Sequence, residues 1–109
     1  MAAASAVVIS QGNRQFQGAF SEMFFVTATL DSGSVADGAG ATDTVAVPGV
    51  QLGDIVLGVS FGVDLVDMTV TAYVQAANAV EVRVQNESGA GPVDLASTTI
   101  KLVIARPAW

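Results

Sequence analysis

MTVTAYVQAANAVEVRVQN, residues Met68–Asn86, reads as two β-strands folded back on each other around a short turn. In the first arm Met68, Val70, Ala72 and Val74 alternate with Thr69, Thr71, Tyr73 and Gln75. In the second, Val80, Val82 and Val84 alternate with Glu81, Arg83 and Gln85. Successive side chains on a strand point to opposite faces, so each arm has one apolar and one polar face. That is the pattern of an antiparallel hairpin with one face on a core and the other in water. The turn is Ala76-Ala77-Asn78-Ala79, and Asn78 is its residue most tolerant of a left-handed backbone.

The rest of the chain is read as cover for the hairpin's apolar face. Toward the N-terminus, Phe24–Leu30 is a strand in which Phe25, Thr27 and Thr29 alternate with Val26, Ala28 and Leu30. Asp31–Asp43, DSGSVADGAGATD, has a loop composition. Thr44–Val47 is a short strand that ends at the turn signal Pro48-Gly49. Gly53-Asp54 opens the next strand, Ile55–Phe61, with Ile55, Leu57 and Val59 expected on one face and Val56, Gly58 and Ser60 on the other. Both faces are fairly apolar, which fits a strand buried on both sides or one at a subunit contact. Beyond the hairpin, Glu87–Pro92 is a loop, and Val93–Ser97 leads into the last strand, Thr98–Ala105. There Ile100, Leu102 and Ile104 form the inner face, and Pro107, which has no amide hydrogen to donate, ends the strand. Trp109 is expected to cap the end of the core. About six strands separated by Gly, Pro and Asp turns, with no long helix, indicate an all-β, antiparallel sandwich or barrel.

Residues 1–21 differ from this pattern and are set apart as an N-terminal arm, with the β domain assigned to 22–109. Helical and extended readings both remain open for the arm, as do a flexible terminus and a segment that docks on a partner or a neighbouring subunit. Val8, Ile9, Arg14, Phe16 and Phe20 are the candidate capsid or subunit contacts in the docking reading. No basic stretch precedes Ala6–Ile9, and that apolar run is shorter than the roughly 7–15 residues of a signal-peptide core. The segment is therefore expected in the mature protein.

The chain has 109 residues, enough for one small domain. Hydrophobic residues make up 51 %, but charged residues only 13 %, against roughly 25 % in an average soluble domain. The deficit points to surface buried against other chains, or to cover by small polar residues. The net charge is −6, and the four basic residues Arg14, Arg83, Lys101 and Arg106 do not cluster in sequence. Phosphate backbones and anionic membranes both select for basic patches, so neither nucleic acid nor membrane is expected as a partner.

There is no Cys and no His, which removes thiolate chemistry, the commonest general base and a common zinc ligand. Asp31, Asp37 and Asp43 share one loop, but counting from Asp31 or from Asp37 fails the calcium-loop pattern of alternating oxygen ligands, so that loop is read as solvated. Asp64 and Asp67 are the remaining close carboxylates, without the arrangement of aromatics expected around a sugar site. No set of residues fills the named catalytic roles, and no enzyme activity and no cofactor are expected.

Three ordered pieces carry a resemblance over Thr42–Arg106. They are V-P-G-V-x-L-G-D at Val47–Asp54, Y-V-x-A-A-N-x-V-x-V-R-x-Q-N at Tyr73–Asn86, and V-D-L-A-S-x-T-I-K-L at Val93–Leu102. Their order and spacing resemble a group of small bacteriophage structural proteins, found as head decoration (cement) proteins and as fibre domains. The resemblance implies a jelly-roll-like β-sandwich, often a homotrimer, on the outer capsid surface of a virion, with the phage major capsid protein as partner and no catalytic residues. A fibre or tail module recognising a host surface glycan or protein is the alternative, with Asp31–Asp43 as its candidate loop. Residues 1–21 lie outside the resemblance.

Overall fold

A computed structural model of the chain describes the backbone of residues 3–9 and all of residues 19–109. Nine strands are described: β1 (Ala3–Ile9), β2 (Phe20–Leu30), β3 (Gly33–Val35), β4 (Gly40–Ala46), β5 (Ile55–Phe61), β6 (Thr69–Ala76), β7 (Ala79–Gln85), β8 (Val93–Leu95) and β9 (Thr98–Pro107). No helix occurs among the described residues. One sheet has the order β1-β2-β9-β5, a second β4-β7-β6, and β3 and β8 form a small two-stranded ribbon. Every strand pair is antiparallel.

The Met68–Asn86 hairpin forms as its alternation requires. Thr69–Ala76 pairs with Ala79–Gln85, leaving Ala77-Asn78 as the connection, and Asn78 has φ +65°. Val74, Val80, Val82 and Val84 are buried, while Thr71, Tyr73 and Arg83 are exposed. From the other sheet, Phe24, Val26, Ala28 and Leu30 of β2 and Ile100, Leu102 and Ile104 of β9 join the same buried cluster. The two sheets therefore share one dry core, as in a β-sandwich. A second cluster, Val35, Met68, Val84 and Leu95, lies beneath the β3–β8 ribbon.

β2 and β9, far apart in sequence, lie side by side at the centre of the first sheet, with Phe24 opposite Ile104 and Val26 opposite Leu102. Both are buried on the core side, where each supplies the other's ladder hydrogen bonds. Apart from β1–β2 and β6–β7, every consecutive pair of strands belongs to different sheets or ribbons.

The structure corrects three sequence expectations. The Asp31–Asp43 stretch is not loop throughout: Gly33–Val35 pairs with Val93–Leu95, and β4 begins at Gly40. Its Gly and Asp content hid strands of three residues, too short to show a period. In β5 the strict alternation fails between Val56 and Gly58, where the register shifts against β9. Leu57 is the extra residue of a β-bulge, and a bulge resets which side chains face inward. Val56, Val59 and Phe61 therefore all pack on the core, while Ile55 and Leu57 are exposed. Trp109 is 78 % exposed and caps no core. Its ring instead tilts against Phe20 at 5.9 Å between centroids.

Candidate functional site

The polar side chains that are most tightly held gather at the two ends of the sandwich. At one end the turn Val47–Asp54 is fastened by Asn78 at the tip of the β6–β7 hairpin and by Arg106 of β9. Gly49 has φ +99°, and a Cβ there would lie 3.2 Å from the ring of Phe24, so the position needs glycine on both counts. Its amide donates to the Asn78 Oδ1 at 2.8 Å. The Val47 amide donates to the Asn78 carbonyl, and the Asn78 amide to that of Val50. The left-handed turn at Asn78 thus allows the hairpin tip to grip the Val47–Asp54 turn with both backbone and side chain.

Arg106 closes the same end from β9. Its Nε and Nη2 donate to the two carboxylate oxygens of Asp54 at 3.0 and 2.9 Å, and Nη2 also donates to the Gly49 carbonyl at 2.7 Å. Nη1 donates to Glu22 at 2.8 Å, and the guanidinium carbon sits 5.5 Å from the centroid of the Phe24 ring. The Asp54 side chain is only 2 % exposed, and its Oδ2 also accepts the Gln51 amide. A forked guanidinium matches a carboxylate through two parallel hydrogen bonds. The hydrogen bonds to Asp54 are the main cause holding Arg106 above its ordinary pKa, ahead of the charge attraction of Asp54 and Glu22.

At the other end Asn86 is fully buried. Its Nδ2 donates to the carbonyls of Val35 and Gly91 at 2.8 and 2.9 Å, and its Oδ1 accepts from the Ser88 amide and hydroxyl. Its backbone exchanges hydrogen bonds with Gly38 and Ala39. One residue therefore ties the end of β3 and the loop before β4 to the loop after β7. A shallow cavity of about 220 Å³ opens between Leu30–Ser32, Ala41–Asp43, Val82 and Val84. It brings Asp31 and Asp43 to one place, but the Asp31 carboxylate already accepts the Gly33 amide. Among the described residues no three Asp or Glu side chains are grouped to hold a metal ion. Asp64, one of the other two close carboxylates, accepts the Val66 amide within its own turn.

The sheets differ on their outer faces. That of β4-β7-β6 is polar, carrying Thr42 and Thr44, Thr71 and Tyr73, and Glu81 and Arg83. The Tyr73 hydroxyl donates to the cross-strand Glu81 carboxylate. That hydrogen bond, more than any other cause, raises the Tyr73 pKa. The outer face of β2-β9-β5 is largely apolar: Phe25, Ile55 and Leu57 are 39, 38 and 50 % exposed, Val103 beside them is half-buried, and Met23 and Ala105 are buried.

The candidate contact residues divide three ways. Val8 and Ile9 lie on β1, in register with Phe24 and Met23. Phe20 begins β2 opposite Pro107 and meets the ring of Trp109. Arg14 and Phe16 lie outside the described residues. Asp54 and Arg106 carried no sequence signal that joined them; only β9 lying across the foot of β5 brings them together. Comparison with known families, curated proteins and solved structures yields no match to this chain.

Proposed function

We propose that the chain is a virion structural protein, a jelly-roll-like decoration (cement) protein that binds the outer surface of a phage head as a homotrimer and stabilises it. One observation carries the reading. The Val47–Asp54 piece of the resemblance and the Asn78 of its Tyr73–Asn86 piece meet in one hydrogen-bonded end, closed by Arg106 at the limit of the resembling region. Residues that recur because they build a shared architecture would converge in this way. The neighbouring first and last core strands, β2 and β9, with a chain that repeatedly crosses between sheets, favour the jelly-roll-like form of that architecture.

The chemistry is in keeping with a scaffold. Arg106, Asp54, Asn78 and Asn86 are committed to holding the fold, and 13 % charged residues suit a subunit with surface buried in an assembly. A decoration protein works by bridging shell subunits, and repeating one modest contact by symmetry multiplies avidity. Antibody labelling of purified virions tests the proposal. Label spread over the head is the expected result, and label at the tail tip alone overturns it.

A second reading has its own observation. Tyr73, 51 % exposed among threonines, Glu81 and Arg83 on a polar face, is the kind of aromatic that stacks on a sugar. A fibre or tail module binding a host glycan would use that face. Glycan-array binding abolished by Tyr73→Ala would bring this reading forward.

A further inference from the structure

We propose that Asp37-Gly38 is a modification site held shut by the fold. While the Gly38 amide is bound to Asn86 the pair is inert; when that end of the sandwich opens, Asp37 converts to isoaspartate with water as the only reagent. Of the aspartates in the chain, only Asp37 is followed by glycine. That dipeptide favours attack of the glycine amide nitrogen on the aspartate Cγ, because no Cβ crowds the approach. The N–Cγ bond forms as a Cγ–O bond breaks, and a water leaves with the amide proton and the carboxyl proton. The five-membered imide then takes up one water. Attack at Cγ returns aspartate. Attack at the main-chain carbonyl breaks its bond to the Gly38 nitrogen and leaves the backbone running through Cβ and Cγ, one atom longer at unchanged mass.

Burial does not protect this bond, since Asp37 and Gly38 are both exposed. Hydrogen bonding does. The Ala39 amide donates to the Ala36 carbonyl at 3.0 Å, so Asp37 and Gly38 are the central pair of a tight turn, with Gly38 at φ +80°. The nitrogen that must attack donates to the Asn86 carbonyl at 2.7 Å, and the Asn86 amide donates back to the Ala39 carbonyl at 2.9 Å. The carboxylate under attack is held too, its Oδ1 accepting the Gly89 amide at 3.1 Å. Nucleophile and electrophile are thus drawn to separate partners on the loop after β7. Asn86 is the anchor, because its buried side chain, bound to Val35, Gly91 and Ser88, fixes the backbone that grips Gly38. Conversion locks itself in. With one more backbone atom before Gly38, the Gly38 amide and the Ala39 carbonyl no longer both meet Asn86. The inference is independent of the virion reading.

The test follows isoaspartate at position 37 in the full chain, by peptide mapping with a protease that cuts before aspartate and not before isoaspartate. In denaturant the site should convert, and in native buffer it should convert at least about tenfold more slowly, the ratio that a modest free energy of local opening imposes. Asn86→Ala, checked as folded by circular dichroism, should move the native rate toward the denatured one. Ser88→Ala removes only the hydroxyl that binds the Asn86 Oδ1 and should give a smaller acceleration, which serves if Asn86→Ala does not fold. Ile104→Ala weakens the buried core toward the opposite end and should leave the native rate near wild type. A chain converted in denaturant and returned to buffer should melt below the unmodified chain. No conversion in denaturant overturns the site, and a native rate equal to the denatured one overturns its protection. Equal acceleration by Ile104→Ala, or none in the folded Asn86→Ala and Ser88→Ala chains, overturns the role of Asn86. Unchanged melting of the converted chain overturns the locking.

Discussion

Asn78 combines two roles that different residues could fill only one at a time. Its φ of +65° favours glycine, while its Oδ1 takes the Gly49 amide. Asn78→Ala should lose both and cost about 1–3 kcal/mol, whereas Asn78→Gly keeps the backbone and should cost about 1 kcal/mol or less; denaturant titration of the two variants checks the order. Arg106 is more demanding, because its partner Asp54 is buried. Arg106→Met leaves that carboxylate unpaired and should destabilise by about 3–5 kcal/mol, with Arg106→Lys intermediate because an ammonium cannot match both oxygens. Tyr73 is the single tyrosine, so its ionisation can be followed directly by absorbance. Its hydrogen bond to Glu81 places the native midpoint above the ordinary 10.0. The associated stability is present in full below pH 10 and is lost as pH rises through the raised midpoint. Glu81→Gln should return the midpoint toward 10, and an unchanged midpoint would mean the hydrogen bond does not form in solution.

β5 shows how an element departs from its own sequence period. Strict alternation would put Ile55, Leu57 and Val59 on one face, but the bulge at Leu57 leaves Val56 and Val59 both on the core. Val56 and Val59 are partly buried against the core, so an aspartate at either should destabilise the fold clearly, because the carboxylate loses part of its hydration there. Ile55→Asp should leave the chain folded. Equal damage from Ile55→Asp and Val59→Asp would restore the unbroken alternation. β9 is regular by comparison: Ile100 is fully buried while Thr99 is exposed. Ile100→Ala should cost about 2–5 kcal/mol, and Thr99→Ala about 0.5 kcal/mol or less. The two ends of the sandwich are closed by different means: a charged fork at Asp54 and a neutral amide at Asn86. Asn86→Ala would strand the buried carbonyl of Val35 together with its other partners, so a loss of about 2–3 kcal/mol is expected.

For the whole molecule the central pairing of β2 with β9 dominates, because it joins segments from nearly opposite ends of the described chain. Such a pairing must close a long loop before it returns any stabilisation, and all-β domains of this kind fold in milliseconds to seconds. Stopped-flow refolding should fall in that range. Ile100→Ala should slow folding if β2–β9 pairing belongs to the nucleus, and otherwise speed unfolding. The molecule also has a wet side and a dry side. The outer face of β4-β7-β6 is polar, and that of β2-β9-β5 is apolar and free of carboxylates.

Much of this was legible in local patterns. The Met68–Asn86 hairpin, its turn at Asn78, and the inner faces of β2 and β9 follow from period-two alternation, because a strand's side-chain directions are set by neighbouring residues alone. The all-β class followed from counting such segments. The three-residue strands β3 and β8, the bulge at Leu57 and the fork between Arg106 and Asp54 were not legible. Each depends on what a distant strand presents: a ladder partner, a shifted register, or a carboxylate supplied by a turn 52 positions away in the chain. Sequence by itself determined which faces were apolar and where the chain turns. Only the tertiary structure decided which strands became neighbours, and thereby which polar groups met, because pairing is a property of two segments at once.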